Sequence, residues 1–378
     1  MQGMTAAARL GVLGALMLAT APPVTAQQPR VVNAKMQTGS AAAGLEKEFR
    51  TLLSAQAEPA WMGYAVPMIA GQHQMCCYSS GDEFTHASGC CGPCRLESSR
   101  GINLSTGEHS DSASLGTVKL EGPHYLVVLF RIEHKRVDRI RTFSEDCQLD
   151  AGGLPFTWLT DVHPGESVAW LASFVTAPLS DAESETTSNQ RPSQHALTAI
   201  ALHADPAADR ALEGFVSPSQ PESLRGHTAF WLGAARGKQG LAVLKRMAHE
   251  DPSDRVREKV TFALSVSHEP EAVEEMIRMA RSDPGSRVRG QALFWLGQKA
   301  GKKAASAITA AIENDPETEV KKRAVFALSQ LPKDEGVPLL IQVARTNRNP
   351  TVRKQAMFWL GQSNDPRALA FFEEILLR

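Results

Sequence analysis

The chain is 378 residues long, 43% hydrophobic and 21% charged, with a net charge of −1. That length and apolar content support two or three domains with sizeable cores and exclude wholesale disorder. The near-neutral balance excludes a simple polyanion binder, because non-specific nucleic-acid affinity needs a strong cationic excess.

Residues 1–26 read as a secretory signal peptide. Arg9 ends a short basic start, Leu10 to Ala21 is apolar, and Val24-Thr25-Ala26 supplies small residues at the cleavage positions. Twelve apolar residues are too few to span a hydrocarbon core about 30 Å thick. The expectation is an exported chain, periplasmic or secreted, with no membrane insertion once the signal is removed.

Residues 27–176 suggest a small cysteine-containing α+β domain. Leu45 to Ser54 has a helical period through Leu45, Phe49, Leu52 and Leu53. Tyr125 to Ile132 and Val137 to Phe143 are β-rich and joined across Glu133 to Arg136, as in a hairpin. Thr117 to Leu120 and Phe156 to Thr160 suggest further strands, and Glu166 to Val175 a helix.

All six cysteines lie here: Cys76, Cys77, Cys90, Cys91, Cys94 and Cys147. Three readings are open. In an exported chain they most simply form up to three disulfides in one of fifteen connectivities. A zinc site with His73 or His86 is a second reading. The third is thiol-disulfide chemistry at Cys91-Gly92-Pro93-Cys94, which has the letters of the thioredoxin active site. Thioredoxin-like proteins, however, place that motif after an apolar strand and a Trp, whereas His86-Ala87-Ser88-Gly89-Cys90 precedes it here.

Residues 177–191 are polar and without apolar period, as expected of a linker. Charge divides across it, with −7 over residues 27–190 and +5 over 191–378.

Residues 192–378 repeat with a strict period. The stretches LRGHTAFWLG, VREKVTFALS, VRGQALFWLG, VKKRAVFALS and VRKQAMFWLG begin at Leu224, Val256, Val288, Val320 and Val352, each 32 residues after the last. Asp251-Pro252, Asp283-Pro284 and Asp315-Pro316 keep the same step, and a further pair, Asp205-Pro206 and Asp365-Pro366, lies five such steps apart, giving about six units with a degenerate first one near Pro192. Within a unit, Val288, Ala292, Trp295 and Leu296 fall on one helical face, and Val273, Met276, Ile277 and Ala280 mark a partner helix. Gly233, Gly297 and Gly361 sit where helix ends take left-handed caps. Short helix pairs of this kind bury their faces only by stacking, so the fold class is an all-α solenoid behind an α+β domain.

The V-R-x-x-A-x-x-x-L-G pattern and the preceding Asp-Pro turn resemble HEAT repeats, in particular the short bacterial type of the phycobilin lyases. The resemblance covers about half the chain. It implies that the V-R helix lines the concave surface and that its Arg pairs with turn aspartates in a structural ladder. Arg225, Arg257, Arg289 and Arg353 hold the ladder position, and Lys321 interrupts it. Deoxyhypusine hydroxylase also resembles this array, but it binds iron through His-Glu pairs two and three residues after the Val. Those positions here hold Gly226-His227, Glu258-Lys259, Gly290-Gln291, Lys322-Arg323 and Lys354-Gln355, so no iron site is implied.

Two aromatic columns follow the repeat. Phe230, Phe262, Phe294, Phe326 and Phe358 lie roughly 240° round the helical wheel from the Val, among polar neighbours. They either pack between units or form a partly exposed concave ridge, and their polar neighbours favour the ridge. The next position alternates Trp231, Ala263, Trp295, Ala327, Trp359 on the core stripe, as in interdigitated packing. The expected function is a non-enzymatic scaffold that binds a protein or peptide along the Phe ridge, assisted by Lys322, Arg323 and Lys354, without cofactor, metal or nucleic acid. The alternative is thiol-disulfide or metal-dependent chemistry in the cysteine domain.

Overall fold

A computed structural model describes residues 28–56, 59–71, 75, 94–97, 123–176, 192–299 and 301–377. The residues read as a signal peptide (1–26), the strand expected over Thr117 to Leu120, the expected linker over 177–191, and His73, His86, Cys76, Cys77, Cys90 and Cys91 lie outside the described residues.

The front unit is built on a five-stranded mixed sheet. Its strands are β2 (Lys35–Ser40), β3 (Ala60–Pro67), β5 (Tyr125–Glu133), β6 (Arg136–Ser144) and β8 (Pro155–Thr160), in the spatial order β2-β8-β3-β5-β6. The β5–β6 hairpin turns on His134 and Lys135, both at positive φ (52° and 59°), the conformation that matches strand twist in a two-residue loop. Helices α1 (Leu45–Ala55) and α2 (Pro164–Thr176) cover one face. There Met62, Tyr64, Val66, Leu126, Val128, Phe130 and Ile132 pack with Phe49 and Leu171.

The opposite face is buried too. Trp61, Val127, Leu129, Phe143, Phe156 and Trp158 meet a small second sheet of β1 (Val31–Val32), β4 (Cys94–Arg95) and β7 (Leu149–Asp150), together with Leu96. A strand buried on both faces reads as a continuous apolar run, which is why YLVVLFRI lacks alternation. Cys94 and Cys147 are both buried in this second core. Glu97 pins the two layers together. It accepts the Trp61 indole N–H at 2.7 Å and a forked pair from Arg131 at 3.1 Å.

From Pro192 to Leu376 the chain forms six helix pairs among the described residues. They are α3 (Pro192–Leu202) with α4 (Pro206–Phe215), α5 (Glu222–Ala235) with α6 (Gly237–Glu250), and α7 (Asp254–Val266) with α8 (Glu271–Ser282). Then follow α9 (Ser286–Lys299) with α10 (Gly301–Asn314), α11 (Thr318–Ser329) with α12 (Lys333–Thr346), and α13 (Pro350–Gln362) with α14 (Pro366–Leu376). The first helices of successive pairs pack closely on one another, while the second helices touch only sparingly. The first helices are therefore the inner, concave layer.

The two units share one core rather than meeting across an independent joint. Helix α3 packs on α2 and on strand β6, and the apolar cluster runs unbroken from the sheet into the array. The backbone is stitched as well: Ile69 N–H donates to Leu202 O and Ala204 N–H to Pro67 O, both at 2.9 Å. Beneath the stitch lies a closed polar chain. His203 Nδ1 faces the Ala199 carbonyl at 2.6 Å, so Nδ1 carries the proton and Nε2 accepts from the Ser167 hydroxyl at 2.8 Å. Ser167 Oγ in turn accepts from the Tyr64 hydroxyl at 2.8 Å. All three side chains are fully buried, and burial pushes the His203 pKa down to about 4 and the Tyr64 hydroxyl upward.

Gly233, Gly297 and Gly361 are not left-handed caps. All three lie inside their helices and none has a positive φ. The reason for glycine is close approach. A Cβ at Gly233 would stand 2.1 Å from the Ala263 carbonyl oxygen of the next inner helix, and one at Gly297 2.8 Å from that of Ala327. At Gly361, on the final inner helix, a Cβ would meet nothing.

Candidate functional site: the inner aromatic ladder

Three of the four Arg positions, Arg225, Arg257 and Arg289, fork onto turn aspartates. Arg225 grips Asp251 (2.8 and 3.0 Å), Arg257 grips Asp283 (2.9 and 3.1 Å) and Arg289 grips Asp315 (2.7 and 3.0 Å). Each fork is bidentate and buried, and each Asp also accepts a backbone N–H two residues on. Each Arg donates its remaining nitrogen to a carbonyl of its own preceding turn, Gln220, Asp251 or Asp283. One side chain thus ties two successive turns together.

The fourth rung lacks both partners. Lys321 replaces Arg and Asn347 stands where Asp would, so Lys321 Nζ donates instead to Glu313 O at 2.8 Å. Arg353, the last member, donates to Asn347 O and Arg348 O but has no carboxylate partner among the described residues.

The Phe column is half-buried from Phe230 to Phe326 and exposed at Phe358. It neither disappears into the core nor stands free as a ridge. Instead it interlocks with the Trp column, which the helical wheel assigns to separate internal packing. Eight rings touch in sequence along the inner layer. Trp231 meets Phe230 edge-on at 5.1 Å, and Phe230 stacks on Phe262 at 5.8 Å and 14°. Phe262 leans on Trp295 at 4.9 Å, and Trp295 meets Phe294 edge-on at 4.7 Å. The same sequence then repeats: Phe294 stacks on Phe326 at 5.9 Å and 10°, Phe326 leans on Trp359, and Trp359 meets Phe358 edge-on. All these centroid separations lie in the favourable range for aromatic pairs.

Cations flank the ladder with the same two-unit period. Lys259 and Arg323 are exposed, and neither makes an ion pair among the described residues. Their stems lie across glycines of the preceding unit. A Cβ at Gly226 would fall 2.3 Å from Lys259 Cδ, and one at Gly290 2.5 Å from Arg323 Cδ. Of the basic residues singled out with the ridge, Lys354 is exposed and Lys322 is occupied by Glu319 at 3.0 Å. Lys259 escapes the sequence reading, although Gly226 and Gly290, alternating in phase with Trp, carry a signal for it.

The ladder's first block opens into a cleft of about 460 Å³ between α3 and the inner layer. Phe230, Trp231 and Phe262 line it, with Gln194, His195, Thr198, His227 and Lys259 as its polar groups. His227 Nδ1 lies 3.1 Å from the Gln194 amide. Burial, and secondarily the charge of Lys259, lowers its pKa, so it is neutral at pH 7. Among the described residues, no group of three His, Cys, Asp or Glu side chains is placed to hold a metal ion, and no helix is long and apolar enough to cross a membrane.

Stacked helix pairs with an inner and an outer layer define the class of this region, an α-solenoid. Residues 208–297 and 305–378 match the family model described as HEAT repeats, so this part of the chain carries HEAT repeats. No curated protein sequence matches the chain. Among solved structures, the chain is similar to human deoxyhypusine hydroxylase in complex with glycerol, at 18% identity and a TM-score of 0.29 over 56% of this chain and 90% of that one. It is also similar to the CpcE–CpcF complex of phycocyanin lyase from Nostoc sp. PCC7120, at 20% identity and a TM-score of 0.33 over 41% and 99%. A mutant of Kap121p gives 13% identity and a TM-score of 0.33 over 52% and 25%.

Proposed function

We propose that this protein is an exported, non-catalytic scaffold that holds a protein partner on the inner face of its HEAT array. The eight-ring ladder carries this reading. A contiguous aromatic strip on a concave surface, bordered by cations outside any ion pair among the described residues, has the composition of a binding surface rather than of a solvated face. Phe358, 54% exposed at the open end of the ladder, is the natural anchor. Lys259, Arg323 and Lys354 favour a partner segment that is apolar and acidic, laid along the groove as a helix or extended peptide. Export rests on the character of residues 1–26, and disulfide pairing among the cysteines would suit that compartment.

The test places a photo-crosslinking amino acid at Phe262, Phe326 or Phe358 in the cell of origin, with outer-layer Leu339 as control. The reading expects one and the same protein captured from the three inner positions and not from Leu339, and its capture from position 326 abolished by Phe358→Ser. Equal capture from the inner and outer layers would overturn it.

A further inference from the structure

The aromatic ladder lacks the ring that should precede Trp231, and the space is open. Counting back 32 residues from Phe230, the Phe column reaches Thr198 on α3. The register holds there. Ala199 continues the Trp–Ala alternation, and Asp205, five repeats before Asp365, caps the second helix of its pair in the same way. In the later blocks the ring at this position closes the gap beside the next Trp. Phe262 leans on Trp295 and Phe326 on Trp359, both at 4.9 Å, and the indole N–H groups of those two Trp are buried. Trp231 has Thr198 in that place instead. The Thr198 hydroxyl turns back along its own helix and donates to Gln194 O at 3.0 Å. Both residues line the cleft of about 460 Å³, and α3 packs less closely on α5 than the later inner helices pack on one another. The cleft is thus the vacancy of a ring that the five later units all supply.

The polar lining supplies donors and one positive charge. His227 Nδ1 accepts from the Gln194 amide at 3.1 Å, so Nε2 carries the proton of the neutral ring. Lys259 adds an ammonium, and no carboxylate lines the cleft among the described residues. We propose that this cleft binds a small planar aromatic acid, its ring seated against Trp231 in place of the missing Phe and its carboxylate held by Lys259 and the His227 Nε2–H. The Phe262–Trp295 and Phe326–Trp359 pairs show the seat that the ring takes. A volume of about 460 Å³ is that of a small-ligand pocket and leaves room beside the ring for a short acid arm. The cation and the neutral imidazole select the charged end, as a desolvated carboxylate needs charge-assisted donors. This site does not rest on the partner reading above.

The experiment is a fluorine NMR titration of 5-fluoroindole-3-acetate with the purified full chain, in the absence of any partner. The expected result is saturable binding at one site with a Kd of about 1 mM or tighter, the range open to a ligand of this size. The neutral 5-fluoroindole-3-acetamide should bind about threefold more weakly or worse. Lys259→Ala, at an exposed side chain, should bring the acid down to the level of the amide. Thr198→Phe restores the residue of the later units, so it should abolish binding while leaving the thermal midpoint unchanged or higher. No saturable binding overturns the proposal, as does binding that Thr198→Phe in a folded chain leaves intact. Equal binding of acid and amide by the unaltered chain overturns it too. So does binding of a blocked Asp–5-fluoro-Trp dipeptide without binding of the free acid, which would give the cleft to a partner's side chain.

Discussion

Replacing Asp283 by Ala isolates the energetics of one ladder rung. Arg257 and Asp283 are 9 and 2% exposed, joined by two charge-assisted bonds of 2.9 and 3.1 Å. The substitution removes that fork and also frees Gly285 N–H, which the Asp283 carboxylate holds at 2.8 Å. What remains is a guanidinium walled in by two repeats, with only the Asp251 carbonyl at 2.8 Å to bond. Breaking a buried pair by removing one partner costs about 3–5 kcal/mol, chiefly because the survivor's charge stays uncompensated. The free energy of unfolding by urea, followed by far-UV circular dichroism, should drop by that amount. Arg257→Lys with Asp283→Asn copies the natural Lys321 and Asn347 rung, which the fold accommodates by turning the ammonium to a carbonyl. That double variant should lose at least about 1 kcal/mol less than Asp283→Ala, the short, mobile ammonium being easier to satisfy. A loss below about 1 kcal/mol for Asp283→Ala would refute the argument that the rungs hold successive turns together.

Gly233→Ala should lower the thermal midpoint sharply, because its Cβ would sit 2.1 Å from a neighbouring backbone oxygen. Gly361→Ala, whose Cβ meets nothing, should be neutral or gain up to about 1 kcal/mol from helix propensity in the same melts. The fully buried His203 has a folded pKa near 4 against an unfolded value of about 6.5, so protonation favours the unfolded chain. Stability should hold above pH 6.5 and fall by about 3 kcal/mol as pH drops toward 4, and His203→Gln should flatten that stretch of the urea-measured profile. Among the aromatic rings of the described residues, Trp295 meets both Phe262 and Phe294, whereas Trp231 meets Phe230 alone. Trp295→Ala should therefore cost at least about 1 kcal/mol more than Trp231→Ala in urea melts.

The array was legible because repetition multiplies a weak signal. One apolar column at helical spacing is ambiguous, but Leu244, Met276, Ile308, Leu340 and Phe372 in strict step are not. The ladder of arginines followed from the family resemblance, and Arg225, Arg257 and Arg289 each fork onto a turn aspartate. The aromatic site was only half legible. A helical wheel treats each helix alone, and it puts Phe262 and Trp295 on separate faces, although they touch across a repeat boundary at 4.9 Å. In the front unit, the α1 helix and the β5–β6 hairpin were readable from local pattern. Strands β2 and β3 were not, since β2 pairs in parallel with β8 some 120 residues away and β3 alternates between two buried faces. Pairing over that distance leaves no local trace.

The alternation of Trp with Ala is more than a record of duplication, because it coincides with two kinds of interface. Inside a block, Gly233 faces Ala263 and Gly297 faces Ala327, the helices close in, and the two Phe rings lie within 10–14° of parallel. Between blocks a Trp occupies the gap, and the rings tilt by 39–53°. Glycine and alanine can only be used together, since either one enlarged would push the other's backbone away. Trp295 and Trp359 instead face the preceding block, where they lean on Phe262 and Phe326. The array therefore advances in double steps, and with them advance the cations, because Lys259 and Arg323 both lie across the block's own glycine. A ligand matched to this surface would meet equivalent chemistry every second repeat. At helix spacings of about 8–10 Å per repeat that interval is roughly 16–20 Å, or about three turns of a bound helix. A partner helix carrying an apolar side chain and a carboxylate at that spacing would engage both blocks at once, and one shifted by a single repeat would engage neither well.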